Sequence, residues 1–198
     1  MNILVNGTMK KQLRLDSNYV TIKSAFKNGR LIIMNNIDIA NGIVFQKMEI
    51  SKESFEDRLI CQKKIYLLQS LGTDLGYTYN WYVRGPYSPS LTNYVYNNLE
   101  VLSSNDFSGY SLSSSAENNI DMVNSLLEDK RADFGIASWY ELLASLLYIF
   151  NNKRSWKIDE GDNALFGALI KQKPQFNKEQ CAYAFDTLRK KGFIQLGV

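Results

Sequence analysis

Ser54-Phe-Glu-Asp57-Arg-Leu59-Ile60-Cys61-Gln62-Lys63-Lys-Ile65-Tyr66-Leu-Leu68-Gln-Ser-Leu71-Gly72 is the stretch at which the apolar period of the chain changes from two residues to 3.6. Ser54, with Asp57 three residues on, can cap a helix whose apolar face carries Phe55, Leu59, Ile60, Ile65, Tyr66, Leu68 and Leu71. Gly72 suits its C-terminal stop. Downstream the same grammar repeats. Gly76 to Gly85 alternates Tyr77, Tyr79, Trp81 and Val83 with polar or exposed positions and reads as a strand. Ser88-Pro89 then places a capping residue before a proline at the first helical position, which predicts a helix to about Asn98. Residues 103–115 read as a Ser-rich loop, and Ser114-x-x-Glu117 opens a helix to about Lys130. Ser138-x-x-Glu141 starts a strongly apolar helix, Trp139 to Phe150, expected at the centre of the core. A helix over Asp162–Gln172 ends at Pro174. Asn177-x-x-Gln180 opens the last helix, through Lys191, with Gly192 as its stop and a short strand at 193–196 after it. Helix, turn, helix and strand in that order suggest a winged-helix-like C-terminal part.

Working back from Ser54, residues 1–50 hold three Asn-Gly pairs, Asn6-Gly7, Asn28-Gly29 and Asn41-Gly42, between β-prone runs such as Ile43-Val-Phe-Gln-Lys-Met48. Asn-Gly favours the positive φ values of a tight hairpin turn, so a small antiparallel unit of three or four strands is expected there. Charge divides at the same place. Seven Lys/Arg face three acids in residues 1–50 (+4), and 16 face 17 in residues 51–198 (−1), so the whole excess of positive charge lies in the first quarter. The expected fold is α+β: a basic β-hairpin-rich unit (1–50) on a mainly helical domain (51–198).

The 198 residues include no histidine and two cysteines. Ser-His-Asp and Cys-His catalysis are thereby excluded, as is a zinc site of the usual Cys/His type. No Gly-rich phosphate loop occurs. Asp121 with Glu128-Asp129-Lys130 superficially matches a carboxylate nuclease pattern, but on a helix end rather than the strand that chemistry needs. Asp159, Glu160 and Asp162 lack the ligand spacing of a calcium loop. No cofactor and no metal are expected. Without an 18-residue apolar stretch, no membrane span is expected either, and Cys61 and Cys181 read as reduced residues of a cytoplasmic protein.

Arg58-Leu-Ile-Cys-Gln62-Lys63-Lys-Ile65-Tyr66-Leu-Leu68-Gln, then Tyr79-Asn-Trp81-Tyr82-Val-Arg84-Gly85-Pro86-Tyr87-Ser88-Pro89-Ser-Leu91, then Glu141-Leu-Leu-Ala-Ser145 and Lys173-Pro174-Gln-Phe176 resemble the YwgA-like family of bacteria and archaea. The likeness spans about residues 54–193. A fainter one, limited to the Gln62-Lys63 helix and Gly85-Pro86, is to the Panacea (SocA-type) antitoxin domain. That resemblance implies a protein-binding antitoxin or proteolytic adaptor; the first implies no catalytic residues.

The candidate binding residues are Gln62, Lys63, Tyr82, Arg84, Gly85, Pro86, Tyr87 and Ser88. Gly85-Pro-Tyr-Ser-Pro89 is either a rigid strand-to-helix turn or an anion seat in which Arg84 stands beside the free N–H groups of a helix start. Gln62-Lys63 is either a solvated pair or, with Gln62 buried, a clamp on the turn backbone. Tyr82 is expected to be exposed if Trp81 is buried. Possible nucleic-acid contacts are Lys10, Lys11, Arg14, Lys178, Arg189, Lys190 and Lys191, with Lys171 and Lys173 nearby. The leading expectation is a non-catalytic regulatory protein of a bacterial defence, phage or toxin–antitoxin type system that binds a protein partner. A winged-helix nucleic-acid-binding regulator comes next, and a nucleotide-handling or metal-dependent enzyme third.

Overall fold

In a computed structural model of the chain, residues 34–158 and 161–194 are described in full, and the backbone alone at 3–5, 8–12, 23–27 and 30–33. The fold is α+β and mainly helical. Strands β1 (Ile3–Val5) and β2 (Thr8–Gln12) pair antiparallel across Asn6-Gly7, and β3 (Lys23–Lys27) and β4 (Arg30–Met34) do so across Asn28-Gly29. Both hairpins follow from the two-residue connection that Asn-Gly favours. Helices α1 (Asn36–Lys47) and α2 (Phe55–Ser70) come next. Strands β5 (Asn80–Tyr82) and β6 (Gly85–Tyr87), helix α3 (Pro89–Ser104), the two-residue strand β7 (Tyr110–Ser111) and helices α4 (Ser114–Ser125), α5 (Ile136–Asn151), α6 (Asp162–Gln172) and α7 (Lys178–Lys190) complete it. β7 pairs parallel to β2.

The third Asn-Gly pair makes no hairpin. Asn41-Gly42 lies inside α1, which an Asn35/Asp38 capping box opens, so the helical part of the chain begins at Asn36 and not at residue 51. Tertiary contacts override the turn preference. The buried Asn41 side chain donates to the Ile37 carbonyl and accepts from the Tyr77 hydroxyl, at 2.9 Å each. Gly42 leaves room for the Phe107 ring, which a Cβ at that position would strike. α1 packs on α3, and Gln46 reaches across to donate to the Leu102 and Asn105 carbonyls at 2.8 Å. That bond ties down the end of α3 six residues past its expected stop, while Leu99, Val101 and Leu102 continue the buried face.

α5 is the centre of the core and touches α2, α6, α7 and β6. Trp139, Leu142, Leu143, Leu146 and Leu147 are fully buried, as an all-round apolar helix requires. It starts one turn before the expected position, at Gly135, so Ser138-x-x-Glu141 is not its cap. α4 ends at Ser125, short of Lys130, and its cap is Ser113. The Trp139 indole takes the Leu126 carbonyl at 2.8 Å, just past the helix end. The expected strand 76–85 shrinks to Asn80–Tyr82, because the Gln69 side chain bonds the backbone of Leu75 and Tyr77 where a ladder partner would. α6 and α7 match their expected bounds; of the strand expected at 193–196, Phe193 and Ile194 are buried in a bend and 195–196 lie outside the described residues. No helix among the described residues is long and apolar enough to cross a membrane.

Gly42→Val, which adds an isopropyl group against Phe107, is expected to cost about 1–3 kcal/mol of stability through overpacking. Urea unfolding reads the loss, and an unchanged midpoint would mean that the ring yields.

Candidate functional site

α2 carries Gln62 and Lys63 against the hairpin β5–β6, and both are buried, so the solvated-pair reading is overturned. Gln62 holds Ser88 from both sides: its Oε1 accepts from the Ser88 N–H at 2.8 Å and its Nε2 donates to the Ser88 carbonyl at 3.0 Å. Lys63 Nζ donates to the Pro86 carbonyl at 2.6 Å. Two successive side chains of one helix thus fix the Gly85–Ser88 backbone. From the other side β6 lies on α5. Gly85 has φ +82°, and a Cβ there would collide with the Ser145 hydroxyl, so only glycine permits this approach.

The apolar face of α5 is broken by one carboxylate, Glu141. Lys173 donates to Glu141 Oε1 at 2.5 Å and to the Val83 carbonyl at 2.9 Å; Arg84 donates to Oε2 at 3.2 Å, and Gln175 lies 3.4 Å from Oε1. The side chains of Glu141 and Lys173 are each 1% exposed, whereas that of Arg84 is 54% exposed. Lys173 caps α6 immediately before Pro174, where the backbone leaves the helical conformation and the side chain turns inward. It is therefore no phosphate contact. Burial pushes the Lys63 amine down to about 7; Glu141 opposes this, and Lys173 and Arg84 reinforce it. Burial also lowers the Lys173 pKa, against the hydrogen bond to Glu141.

The anion seat expected at the start of α3 is filled by the chain itself. Gln62 takes the Ser88 N–H, Pro89 has none, and the Ser88 hydroxyl takes the Leu91 N–H at 3.3 Å. Arg84 points to Glu141 instead. What the hairpin does form, with α2 and α3, is an open groove of about 390 Å³. Phe55, Tyr82, Val83 and Tyr96 line it and are half of the eight large hydrophobic side chains exposed among the described residues. Val83, at the hairpin tip, is 88% exposed rather than buried with Trp81 in strand alternation. Tyr82 is exposed as expected and packs edge-on against Tyr87, with ring centroids 5.1 Å apart. Arg58, Lys63 and Arg84 also line the groove, and among the described residues no carboxylate does.

Among the described side chains the other basic candidates do not gather. Lys10 and Lys11 lie on β2, opposite Ile3 and Tyr110 respectively, and Arg14 lies outside the described residues. Lys178 begins α7. Each cation at the end of α7 has an acid of its own: Arg189 with Asp162 at 2.7 Å, Lys190 with Asp186 at 2.7 Å and Lys191 with Asp129 at 3.1 Å. Among the described residues no three Cys, Asp or Glu side chains converge as a metal-ligand set.

Glu141 and Lys173 are the site residues that local spacing misses. The available signal was a lone charge in the run Ile136–Phe150. Comparison with protein-family models, curated proteins and solved structures finds no match to the chain.

Lys173→Ala, which strands the Glu141 carboxylate, is expected to cost about 3–5 kcal/mol, and Lys173→Met with Glu141→Leu to recover most of it; guanidinium unfolding of both variants checks this. Lys63 gives a second expectation. Between about pH 7 and its ordinary value of 10.5 the unfolded chain keeps a proton that the folded chain has released, so stability rises with pH in that window. The difference in stability between the native protein and Lys63→Met should therefore grow from pH 6.5 to 8.5. A flat difference means that Lys63 stays protonated throughout.

Proposed function

We propose that the chain is a non-catalytic regulatory protein of a bacterial defence, phage or toxin–antitoxin type system, and that it acts by docking a segment of a partner protein in the groove between α2, α3 and the β5–β6 hairpin. The observation that carries this reading is the placement of Phe55, Tyr82, Val83 and Tyr96, exposed together over a floor that buried side chains hold rigid. Contiguous exposed apolar surface rimmed by polar groups is what a protein interface requires, and aromatic residues with arginine are its usual anchors.

The occupant this groove suits is an apolar or aromatic segment that carries negative charge, because the lining offers cations and no acid. The fainter likeness to the Panacea antitoxin domain, which implies a protein-binding role, supports a protein partner. Catalysis draws little support. The Glu141 carboxylate is bonded by several donors and the Lys63 amine by the Pro86 carbonyl, which leaves no nucleophile paired with a base. The nucleic-acid reading draws none from α7, whose terminal cations are paired within the chain.

A display library of random 12-residue peptides, selected on the native protein and on Val83→Asp, tests the reading. Enriched sequences should be rich in Leu, Phe and Trp on the native protein and absent on the variant, with its melting temperature unchanged since Val83 is almost wholly exposed. Equal enrichment on both proteins, or none on either, refutes groove docking.

A further inference from the structure

We infer that the docked segment presents a carboxylate to the hairpin end of the groove, where Arg84 pairs with it directly and Lys63 supports it from beneath. This rests on the groove being the docking surface. Of the three cations in the lining, Lys63 is committed to the Pro86 carbonyl, and Arg58, bonded through Nη1 to the Lys52 and Glu53 carbonyls, is less exposed than Arg84. Arg84 differs. Among the described residues its one hydrogen bond uses Nη1, to Glu141, and half of the side chain is exposed beside Phe55, whose ring centre is 6.0 Å from the guanidinium carbon. A guanidinium has five N–H donors in a planar fork, so most remain for a second, planar acceptor.

Charge balance favours an anion there. Facing Lys63 are Arg84 from the hairpin, Glu141 from α5 and Lys173 from the end of α6, so two cationic side chains, and a third whenever Lys63 is protonated, share one carboxylate. A second carboxylate at the rim relieves that excess. The apolar neighbours Phe55, Tyr82 and Val83 exclude water from the pair, which strengthens it. A phosphate suits the place less well, because it needs several converging donors and, at the start of α3, the Ser88 and Leu91 N–H groups are already used and Pro89 has none.

Binding is then linked to protons. An anion near Lys63 favours its charged form, and that amine titrates near neutrality in the unoccupied protein, so binding takes up a proton and tightens as the pH falls through about 7. The test uses peptides enriched on the native protein, each synthesised as the acid and with Asp or Glu replaced by Asn or Gln and the C-terminus amidated. Calorimetry at pH 7 in PIPES and in Tris counts protons. The amide forms are expected to bind about tenfold more weakly, the size of one charge-assisted hydrogen bond. On Arg84→Gln acid and amide forms should bind alike, and net proton uptake should appear on the native protein and vanish on Lys63→Met. If that variant fails to fold, uptake on the native protein decides. Amide forms that bind the native protein as tightly as the acids, while still requiring Val83, overturn the carboxylate and leave groove docking intact. Displacement by millimolar phosphate but not by acetate also overturns it, in favour of a phosphate-bearing occupant. Peptides indifferent to Val83→Asp overturn both.

Discussion

A carboxylate buried in the central helix sets the terms for the rest of the molecule. Glu141 could not be left unpaired among the leucines of α5, because an isolated ionised group in a dry interior costs several kcal/mol. Its partners come from far along the chain: Lys173 from the end of α6 and Arg84 from the hairpin tip. Satisfying one charge thereby draws the hairpin, α5 and the end of α6 to a single point. Lys173 also bonds the Val83 carbonyl, so the cation that neutralises α5 is the one that seats the hairpin.

Gln62 and Lys63 complete the frame from α2. The hairpin has only two strands, and a two-stranded ribbon alone is marginal in water. Here its backbone is held by side chains from one helix, α2, and from the end of α6, at Val83, Pro86 and Ser88. A surface built this way is preorganised, and little conformational entropy remains to be lost when something docks on it.

Much of this was legible in the sequence because it is local. Ser54 with Asp57, Ser88 with Pro89 and Asn177 with Gln180 mark helix starts that the structure places where expected, since caps are written within four residues. The Gly85–Ser88 turn is legible for the same reason; the Gln62 clamp on it spans 26 positions and is one of two readings that the sequence leaves open. The failures are long-range. Asn41-Gly42 carries a hairpin signal that a ring 65 positions away, Phe107, and the Tyr77 hydroxyl override. Ser138-x-x-Glu141 imitates a cap while Glu141 answers to Lys173, and spacing within a helix holds no information about a partner on another.

Val83 combines two properties that usually exclude each other. Its carbonyl is fixed by a buried lysine, whereas its side chain stands almost entirely in solvent. The fold therefore dictates where residue 83 sits and is indifferent to what it is. A position of that kind can exchange side chains during evolution without disturbing the scaffold, so the surface chemistry at the hairpin tip is free to vary through a single codon.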